Sequence, residues 1–397
     1  MPSSSNAPNT GADTIGWDNF SRRLALMLAL TLGLLALHAL PGWMSAGQDR
    51  IRVEKLVALL QNGDLNREDF DALAAGYYEG LRKDAGHLGM PAERDDVRFR
   101  DDFLLYDFKP NLQRNYPAGL RVTNSLGMPN PEYGYLKPPH TRRIALLGDS
   151  ISVGPYGQDY EALLERRLNQ SNTTAETRKF EILNFSVYGY NALQMMDVAL
   201  NIAPRFHPDV YLVALTHIQA GRKKASTAVH IARLELEGID LKYDFLRHIA
   251  AEAQLQSGDH LNTMVRKLAP YHLQMTRWAL EQIRDRAAAQ GAQMVVALIP
   301  APIPVTLEAQ AFDEIRPTID SLGVPVLDLR DTFNSKPLEK LQVEYGVDVH
   351  PNQSGHQIIY QSFYQSMQGE PNFSAALLGI SIEQNKSLRS TANHGRN

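Results

Sequence analysis

The stretch that decides the fold reads Arg142-Arg143-Ile144-Ala145-Leu146-Leu147-Gly148-Asp149-Ser150-Ile151-Ser152. Its apolar run stops abruptly at Gly148, and a loop and a helical stretch follow. This order predicts a buried parallel strand whose carboxyl end presents Ser150 in a crevice. Glycine permits a tight turn at that point, and aspartate stabilises turns through its side chain. Taken alone, the motif is equally typical of a strand-to-helix turn without chemistry.

A second segment supplies the partners that a serine nucleophile needs. It reads Asp348-Val349-His350-Pro351-Asn352 and is followed by Gly355-His356. Residues two apart in an extended segment point to the same side, and proline disfavours helix at the residue before it. We therefore predict that His350 is the base for Ser150 and that Asp348 orients its imidazole. The alternative interpretation is a surface loop that caps the last helix.

The composition excludes several other classes of protein. The 397 residues are enough for one large domain with accessory segments, or for two domains. A formal net charge of -4 gives no electrostatic case for nucleic acid as a partner. The absence of cysteine excludes disulfides, thiolate chemistry and cysteine-ligated zinc. The histidines form no HExxH or similarly spaced cluster, so we predict neither a metal nor a cofactor.

The amino-terminal segments are predicted to anchor the chain in a membrane. Residues 1–23 are polar and predicted to be disordered in the cytoplasm. Residues 24–40 carry no charge and match the shortest spanning helices, about 17 residues. Arg22 and Arg23 at the entrance favour a single-pass inner-membrane protein with an extracytoplasmic domain, although three basic residues follow the segment closely. The alternatives are a buried core helix and a signal peptide cleaved near Ser45-Ala46-Gly47.

The rest of the chain alternates between strand-like and helical patterns. The predicted strands are Ile144–Leu147, Phe180–Phe185, Val210–Leu215, Met294–Ile299 and Val324–Leu327. The predicted helices are Asp159–Leu168, Asn191–Ala203, Tyr271–Ala289, Leu307–Leu322 (kinked or split at Pro317) and Gln353–Met367. This alternation predicts a parallel sheet with helices on both faces, in a domain spanning residues 100–375.

Four further segments accompany this domain. Residues 51–85 are predicted to form a helical hairpin that links it to the anchor. Residues 86–140 are predicted to be an ordered lead-in of extended segments and turns without chemistry. A mostly helical insertion at 223–269 is either a lid or substrate wall, or a solvated appendage. Residues 381–397 are predicted to be a loose tail.

Together these blocks resemble the SGNH/GDSL hydrolases, which are esterases of three-layer α/β/α, flavodoxin-like architecture. Gly148-Asp149-Ser150 matches the first block of that family, and the segment around Asp348 and His350 matches its last block. An intermediate block matches Asn184-Phe185-Ser186-Val187-Tyr188-Gly189. The resemblance covers roughly residues 105–370. It implies that Ser150 is the nucleophile and that the backbone N–H groups of Gly189 and Ser150 hold the oxyanion.

The chain departs from the family pattern at two places. The aspartate of the last block more often stands three residues before the histidine, so Asp328 and Asp331 remain fallback partners for His350. The asparagine expected after the third strand is missing. Gln219 is its closest chemical substitute, an amide donor on a longer side chain, and Thr216 and His217 also stand nearby. Loss of one oxyanion donor typically lowers the rate by about a hundred- to a thousandfold.

The resemblance extends to membrane-anchored bacterial members of the family through Asn124-Ser125-Leu126-Gly127. It implies serine-dependent hydrolysis of an acyl or acetyl ester, with a carbohydrate of the cell envelope as substrate and no cofactor. One alternative is a polysaccharide O-acetyltransferase that uses the same residues. The other is a catalytically degenerate binding or scaffold subunit.

Overall fold

The strands of the described residues form one central sheet and three small hairpins. The computed structural model describes residues 96–171, 179–221 and 225–380. In chain order its strands are β1 (Val97–Phe99), β2 (Tyr106–Phe108), β3 (Gln113–Tyr116), β4 (Gly119–Val122), β5 (Thr141–Leu147), β6 (Lys179–Asn184), β7 (Val210–Leu215), β8 (Gln293–Leu298), β9 (Val326–Asp328), β10 (Gln342–Glu344) and β11 (Asp348–Pro351).

Ten α-helices lie within the same described ranges. They are α1 (Tyr160–Ser171), α2 (Ala192–Asn201), α3 (His217–Ala220), α4 (Ser226–Glu237), α5 (Asp244–Glu252), α6 (Leu261–Leu268), α7 (His272–Ala289), α8 (Val305–Asp320), α9 (Gln353–Gly369) and α10 (Pro371–Leu378). Five predicted strands and five predicted helices are confirmed, with ends displaced by at most three residues. The predicted split at Pro317 is wrong, because α8 runs through this proline as one helix.

The central sheet has the order β6-β5-β7-β8-β9, and all its strands are parallel. This is the flavodoxin-like order, in which the chain leaves the first strand to one side and later continues on the other. The crevice between these two directions lies at the carboxyl end of β5. Ser150 follows β5 by three residues, so the topology places it in this crevice.

Both faces of the sheet are covered by helices, which explains why its strands are nearly continuous apolar runs. Alternate residues of β5 point to opposite faces: Ala145 and Leu147 belong to one buried cluster, Ile144 and Leu146 to the other. The first cluster includes residues of α2, α4, α7 and α8, whereas the second includes residues of α1, α9 and α10. The predicted mixed α/β fold with a parallel sheet is therefore confirmed.

The lead-in segment packs against the first cluster. It contains two antiparallel hairpins, β1–β2 and β3–β4. Phe103, Leu104 and Phe108 are buried in the core that also contains α2. This segment is therefore part of the domain that carries the sheet.

The helical insertion also belongs to the core. It contains α4, α5 and α6. Ile231, Leu234 and Ile249 are fully buried in the first cluster, and Phe103 of the lead-in stacks edge-on against Tyr243 at 5.2 Å between ring centroids. Because its apolar faces are covered, the insertion is not a solvated appendage.

Several predictions concern residues outside the described ranges. The disordered terminus at 1–23, the anchor at 24–40, the helical linker at 51–85 and the tail at 381–397 all lie there. Among the helices of residues 96–171, 179–221 and 225–380, none is both long and apolar enough to cross a membrane. The anchor stays a prediction.

A buried ion pair joins β5 to its neighbour β6 in the central sheet. Nε of Arg143 on β5 donates to Oε2 of Glu181 on β6 at 2.7 Å, and the two side chains are 1% and 4% exposed. The same guanidinium donates to the carbonyl of Phe206 at 2.9 Å. Removing Arg143 would leave the buried Glu181 with the largely exposed Lys179, whose Nζ lies 2.8 Å from Oε1, as its charged partner.

We predict that Arg143→Met lowers the free energy of unfolding by about 3–5 kcal/mol, because Glu181 would keep its charge in a buried position. Urea unfolding followed by circular dichroism measures this loss. The matched control is Arg277→Gln, which breaks an exposed pair with Glu281 on α7 and is expected to cost less than about 1 kcal/mol. Equal losses of unfolding free energy in Arg143→Met and Arg277→Gln would contradict a special contribution of the buried ion pair to stability.

Candidate active site

The turn after β5 presents Ser150 on a short helical turn. Residues Ser150–Ser152 form a 3-10 turn, and Asp149 is its N-cap. Oδ1 of Asp149 accepts a hydrogen bond from the N–H of Ile151 at 2.9 Å. A capping carboxylate of this kind satisfies a backbone donor that the helical turn leaves without a partner.

The other oxygen of Asp149 ties this turn to the end of β7. Oδ2 accepts from Oγ1 of Thr216 at 2.7 Å and from Nε2 of Gln219 at 2.7 Å. The side chain is 1% exposed, so a buried carboxylate is matched by three donors. Asp149 therefore connects the serine turn to the end of the neighbouring strand β7.

Gly148 has a steric role in the same turn. A Cβ at this position would lie 2.7 Å from Oγ of Ser152 and 2.8 Å from Oγ of Ser186. Both distances are shorter than real Cβ contacts, so a larger residue would force the side chains of Ser152 and Ser186 to move. Glycine allows the two segments to approach this closely.

Ser150, His350 and Asp348 form one chain of hydrogen bonds. Nε2 of His350 lies 2.8 Å from Oγ of Ser150, and Nδ1 lies 2.6 Å from Oδ1 of Asp348. A carboxylate only accepts, so Nδ1 carries a proton and the neutral ring offers Nε2 as the acceptor for the serine hydroxyl. The arrangement is that of an activated nucleophile with its base and the group that orients the base.

The hairpin of β10 and β11 holds the base in place. Asp348 and His350 both lie on β11, which pairs antiparallel with β10. The backbone N–H of His350 also donates to Oδ1 of Asp348 at 3.1 Å. The two side chains are 17% and 20% exposed, whereas Ser150 is 1% exposed.

The fallback partners of His350 are engaged elsewhere. Asp328 accepts from the guanidinium of Arg330, with the closest ion-pair contact at 2.8 Å. Asp331 accepts from Nδ2 of Asn334 at 2.7 Å. The structure therefore brings Asp348, and neither fallback residue, to the imidazole.

The loop after β6 is joined to the serine turn by Asn184. Its Nδ2 donates to the carbonyl of Ser152 at 2.7 Å and to Oε1 of Glu161 at 2.8 Å. Its Oδ1 accepts from the N–H of Ser186 at 2.9 Å. This loop continues to Gly189, whose φ of +68° is a left-handed conformation that glycine adopts without strain.

The amide of Gln219 has no capacity left for a reacting oxygen. Its Nε2 donates to Asp149 and to the carbonyl of Tyr190 at 2.9 Å, while its Oε1 accepts from the N–H of Thr216 at 2.9 Å. Both amide protons are used. Thr216 is also committed, as the N-cap of α3 and a donor to Asp149. His217, the third residue considered near the missing asparagine, begins α3 and is partly exposed.

A second buried polar cluster lies beside the serine turn, and the sequence patterns did not predict it. The carboxyl groups of Asp159 and Glu161 are both buried and influence each other electrostatically, and Oε2 of Glu161 has no hydrogen-bond partner among the described residues. Burial raises the pKa of Asp159 to about 6. Burial and the charge of Asp159 raise the pKa of Glu161 well above its ordinary value. Both residues line a cavity of about 440 Å³.

His356 belongs to this cluster, although its motif had suggested only a family match. Burial, with the charges of Arg121 and His350, lowers its pKa to about 3, so the ring stays neutral at physiological pH. Its Nδ1 lies 3.4 Å from the backbone N of Tyr160.

Among residues 96–171, 179–221 and 225–380, no group of three or more metal-binding side chains is arranged to hold an ion.

The fold and the site together define a class. The serine is hydrogen-bonded to a histidine, and the histidine is hydrogen-bonded to an aspartate, at the carboxyl edge of a parallel sheet. This is the arrangement of an α/β serine hydrolase. A family model of GDSL-like lipases and acylhydrolases matches residues 146–358, more than half of the chain. The chain belongs to this family, as its motifs predicted, and is a hydrolase of ester bonds.

Three of the solved structures to which the chain is similar are TesA, EstA and Axe2. TesA shares 13% identity over 57% of this chain and 99% of its own, with a TM-score of 0.34. EstA, a psychrotrophic esterase from Pseudoalteromonas sp., shares 13% over 57% and 97%, with a TM-score of 0.35. Axe2, an acetylxylan esterase from Geobacillus stearothermophilus, shares 13% over 61% and 95%, with a TM-score of 0.37. No curated protein sequence matches the chain.

We predict that Gln219→Glu destabilises the fold by about 3 kcal/mol or more at pH 8, because it sets a second buried carboxylate against Asp149. The loss is expected to be smaller at pH 5, where the new carboxyl is protonated and donates. Urea unfolding at the two pH values measures the difference. The exposed Gln310→Glu on α8 is the control. A folded, equally stable variant with lower activity would instead make Gln219 a direct donor.

The buried carboxyl pair predicts a pH-dependent stability. Carboxyls with raised pKa values bind more protons in the folded state, so their contribution to stability is present near pH 4 and is lost as the pH rises through their folded pKa values, which for Asp159 is about 6. We predict that Glu161→Gln, which is permanently neutral, is more stable than the natural chain at pH 8 and equal to it at pH 4. Unfolding free energies across this range measure the effect. Exposed Glu339→Gln should show no such trend.

Proposed function

We propose that the protein is a serine esterase in which Ser150 attacks the ester, His350 transfers the proton and Asp348 orients and stabilises the imidazole. One observation carries the proposal. Oγ of Ser150, both nitrogens of His350 and Oδ1 of Asp348 form a continuous chain with separations of 2.8 and 2.6 Å. Separations of this size allow proton transfer without rearrangement.

The chemistry follows from this chain of hydrogen bonds. Oγ of Ser150 attacks the ester carbonyl carbon while its proton passes to Nε2 of His350. The tetrahedral intermediate then collapses, the bond to the alcohol oxygen breaks, and Nε2 returns the proton to the departing alcohol. Water repeats the sequence on the acyl-serine, again with His350 as base, and releases the carboxylic acid.

The proposed oxyanion hole has two backbone donors, the N–H groups of Ser150 and Gly189. The carbonyl oxygen gains negative charge in the transition state, and fixed donors aimed at it lower the barrier. The side-chain donor that the family places after the third strand is replaced by Thr216 and Gln219, which bind Asp149 instead. We therefore expect slower turnover than a hole with three donors would allow, by about a hundredfold or more.

The proposed substrate is an acetyl or other acyl ester on a polysaccharide of the cell envelope. Support comes from the resemblance of Asn124-Ser125-Leu126-Gly127 to membrane-anchored bacterial members of the family. The uncharged segment at 24–40, with Arg22 and Arg23 before it, supports a single-pass anchor in the inner membrane and an extracytoplasmic catalytic domain.

An O-acetyltransferase is the second candidate. Ser150 is 1% exposed, which limits the access of bulk water to an acyl group bound there. Poor access of water favours a bound sugar hydroxyl as the acceptor. The purified full-length chain, incubated with p-nitrophenyl acetate with and without an oligosaccharide, distinguishes the two. Acetate release alone indicates hydrolysis, and an acetylated sugar indicates transfer.

We predict that Ser150→Ala and His350→Ala lower kcat for p-nitrophenyl acetate by at least about a thousandfold. Asp348→Asn is expected to lower kcat by about ten thousandfold with the fold intact, because the wrong tautomer of His350 is favoured. Asp331→Asn changes a comparable carboxylate that does not contact His350 and should retain activity. Absence of turnover in the folded natural chain would instead support the binding or scaffold role.

A further inference from the structure

The lead-in segment reaches the loop that carries the proposed oxyanion donor. The hydroxyl of Tyr106, on β2, donates to the backbone carbonyl of Tyr188 at 2.9 Å. Tyr106 is 5% exposed and lies outside the stretch that matches the family model. The carbonyl of Tyr188 and the N–H of Gly189 belong to the same peptide unit, so this hydrogen bond acts on the peptide that carries the donor.

The geometry of a trans peptide transmits the effect. The C=O and N–H of one unit lie in a plane and point in opposite directions, so fixing the carbonyl oxygen also fixes the direction of the N–H. The need for such a restraint is greatest before a glycine, whose φ is not restricted by a Cβ. Gly189 is in the left-handed region at +68°. A donor on the carbonyl also polarises the peptide, which strengthens its N–H as a donor.

Contacts around Tyr106 hold it in place. The hydroxyl of Tyr190 donates to the backbone carbonyl of Tyr106 at 2.8 Å, and the two rings pack with their centroids 5.7 Å apart. Tyr106 is thus joined to the loop on both sides of Gly189, because it donates to Tyr188 and accepts from Tyr190. The loop cannot rotate at Gly189 without breaking at least one of these two bonds.

Arg121 connects the same loop to the serine turn. Its guanidinium donates to the hydroxyl of Tyr188 at 2.8 Å, to the carbonyl of Gly154 at 3.0 Å and to that of Val153 at 3.3 Å. Arg121 lies on β4 and is 4% exposed. The two segments proposed to supply the oxyanion donors, one at Ser150 and one at Gly189, are thereby held at a fixed separation from the lead-in side.

We propose that Tyr106 is a positioning residue of the oxyanion hole, which it orients through the Tyr188–Gly189 peptide. This inference rests on the proposed esterase function. It assigns a role in the reaction to a segment whose sequence predicted no chemistry. The interaction matters most in the transition state, where the oxyanion forms, and least in the ground state, where the ester carbonyl is weakly polar.

The test compares Tyr106→Phe with the natural chain, full length, on p-nitrophenyl acetate. We expect kcat to fall by about ten- to a hundredfold with KM unchanged, because complete loss of an oxyanion donor costs about a hundred- to a thousandfold. Phosphonylation by a fluorophosphonate, whose P=O oxygen occupies the same hole, should slow by a similar factor. The midpoint of the pH–rate profile should not move, since His350 and its partners are untouched.

The matched control is Tyr211→Phe. The hydroxyl of Tyr211 is hydrogen-bonded to Oε1 of Gln290 at 2.5 Å, so the control removes one tyrosine hydrogen bond between β7 and the end of α7. Its kcat should stay within about twofold of the natural value, and thermal unfolding should show similar midpoints for the two variants.

Each outcome decides the inference. Natural kcat and phosphonylation rates in Tyr106→Phe, with an inert Ser150→Ala, would overturn the role of Tyr106 and leave the esterase intact. Equal losses in Tyr106→Phe and Tyr211→Phe, or a rise in KM alone, would also overturn it. A natural chain that neither turns over nor reacts with the fluorophosphonate would remove the esterase proposal, and this inference with it.

Discussion

The carboxylate of Asp149 is the constraint on which the site depends. It is buried, and its two oxygens accept from the N–H of Ile151, the hydroxyl of Thr216 and the amide of Gln219. These donors come from two different strand ends, so the serine turn after β5 keeps its shape only while the end of β7 stays beside it. A buried carboxylate that lost one of these donors would carry a desolvation cost of about 1–3 kcal/mol or more. Ser150 is therefore presented by the sheet as a whole.

The same constraint explains the departure from the family pattern. A polar side chain after β7 can either stabilise the serine turn or donate to the reacting carbonyl oxygen. Thr216 and Gln219 serve the first use and have no free hydrogen-bonding group for the second. The lead-in segment adds support from the opposite side, because Tyr106 and Arg121 both reach the loop after β6. A hole made of backbone donors needs such support, since its donors are only as well aimed as the loops that carry them.

Local patterns predicted the parts of the site that are local in the chain. The apolar run of β5, the glycine at its end and the two-residue spacing of Asp348 and His350 each carry their own signal, and β11 has the extended form that Pro351 predicted. The contacts of Tyr106, Arg121 and Glu161 could not be predicted in this way. They join residues from 23 to 82 positions apart in the chain, and a local pattern does not show which distant residue a side chain will meet. Gln219 is a case in which the sequence suggested the wrong contact. Its residue type suggested an oxyanion donor, but in the fold its amide donates to Asp149 and to the carbonyl of Tyr190.

The most direct test of the account is to locate the acyl group during turnover. The full-length chain is mixed with p-nitrophenyl acetate, quenched in acid within the first turnovers and digested, and the peptides are analysed by mass spectrometry. The account predicts an acetyl group on Ser150, with less trapped adduct in His350→Ala. An acetyl group on another residue, or turnover in Ser150→Ala at the natural rate, would contradict it.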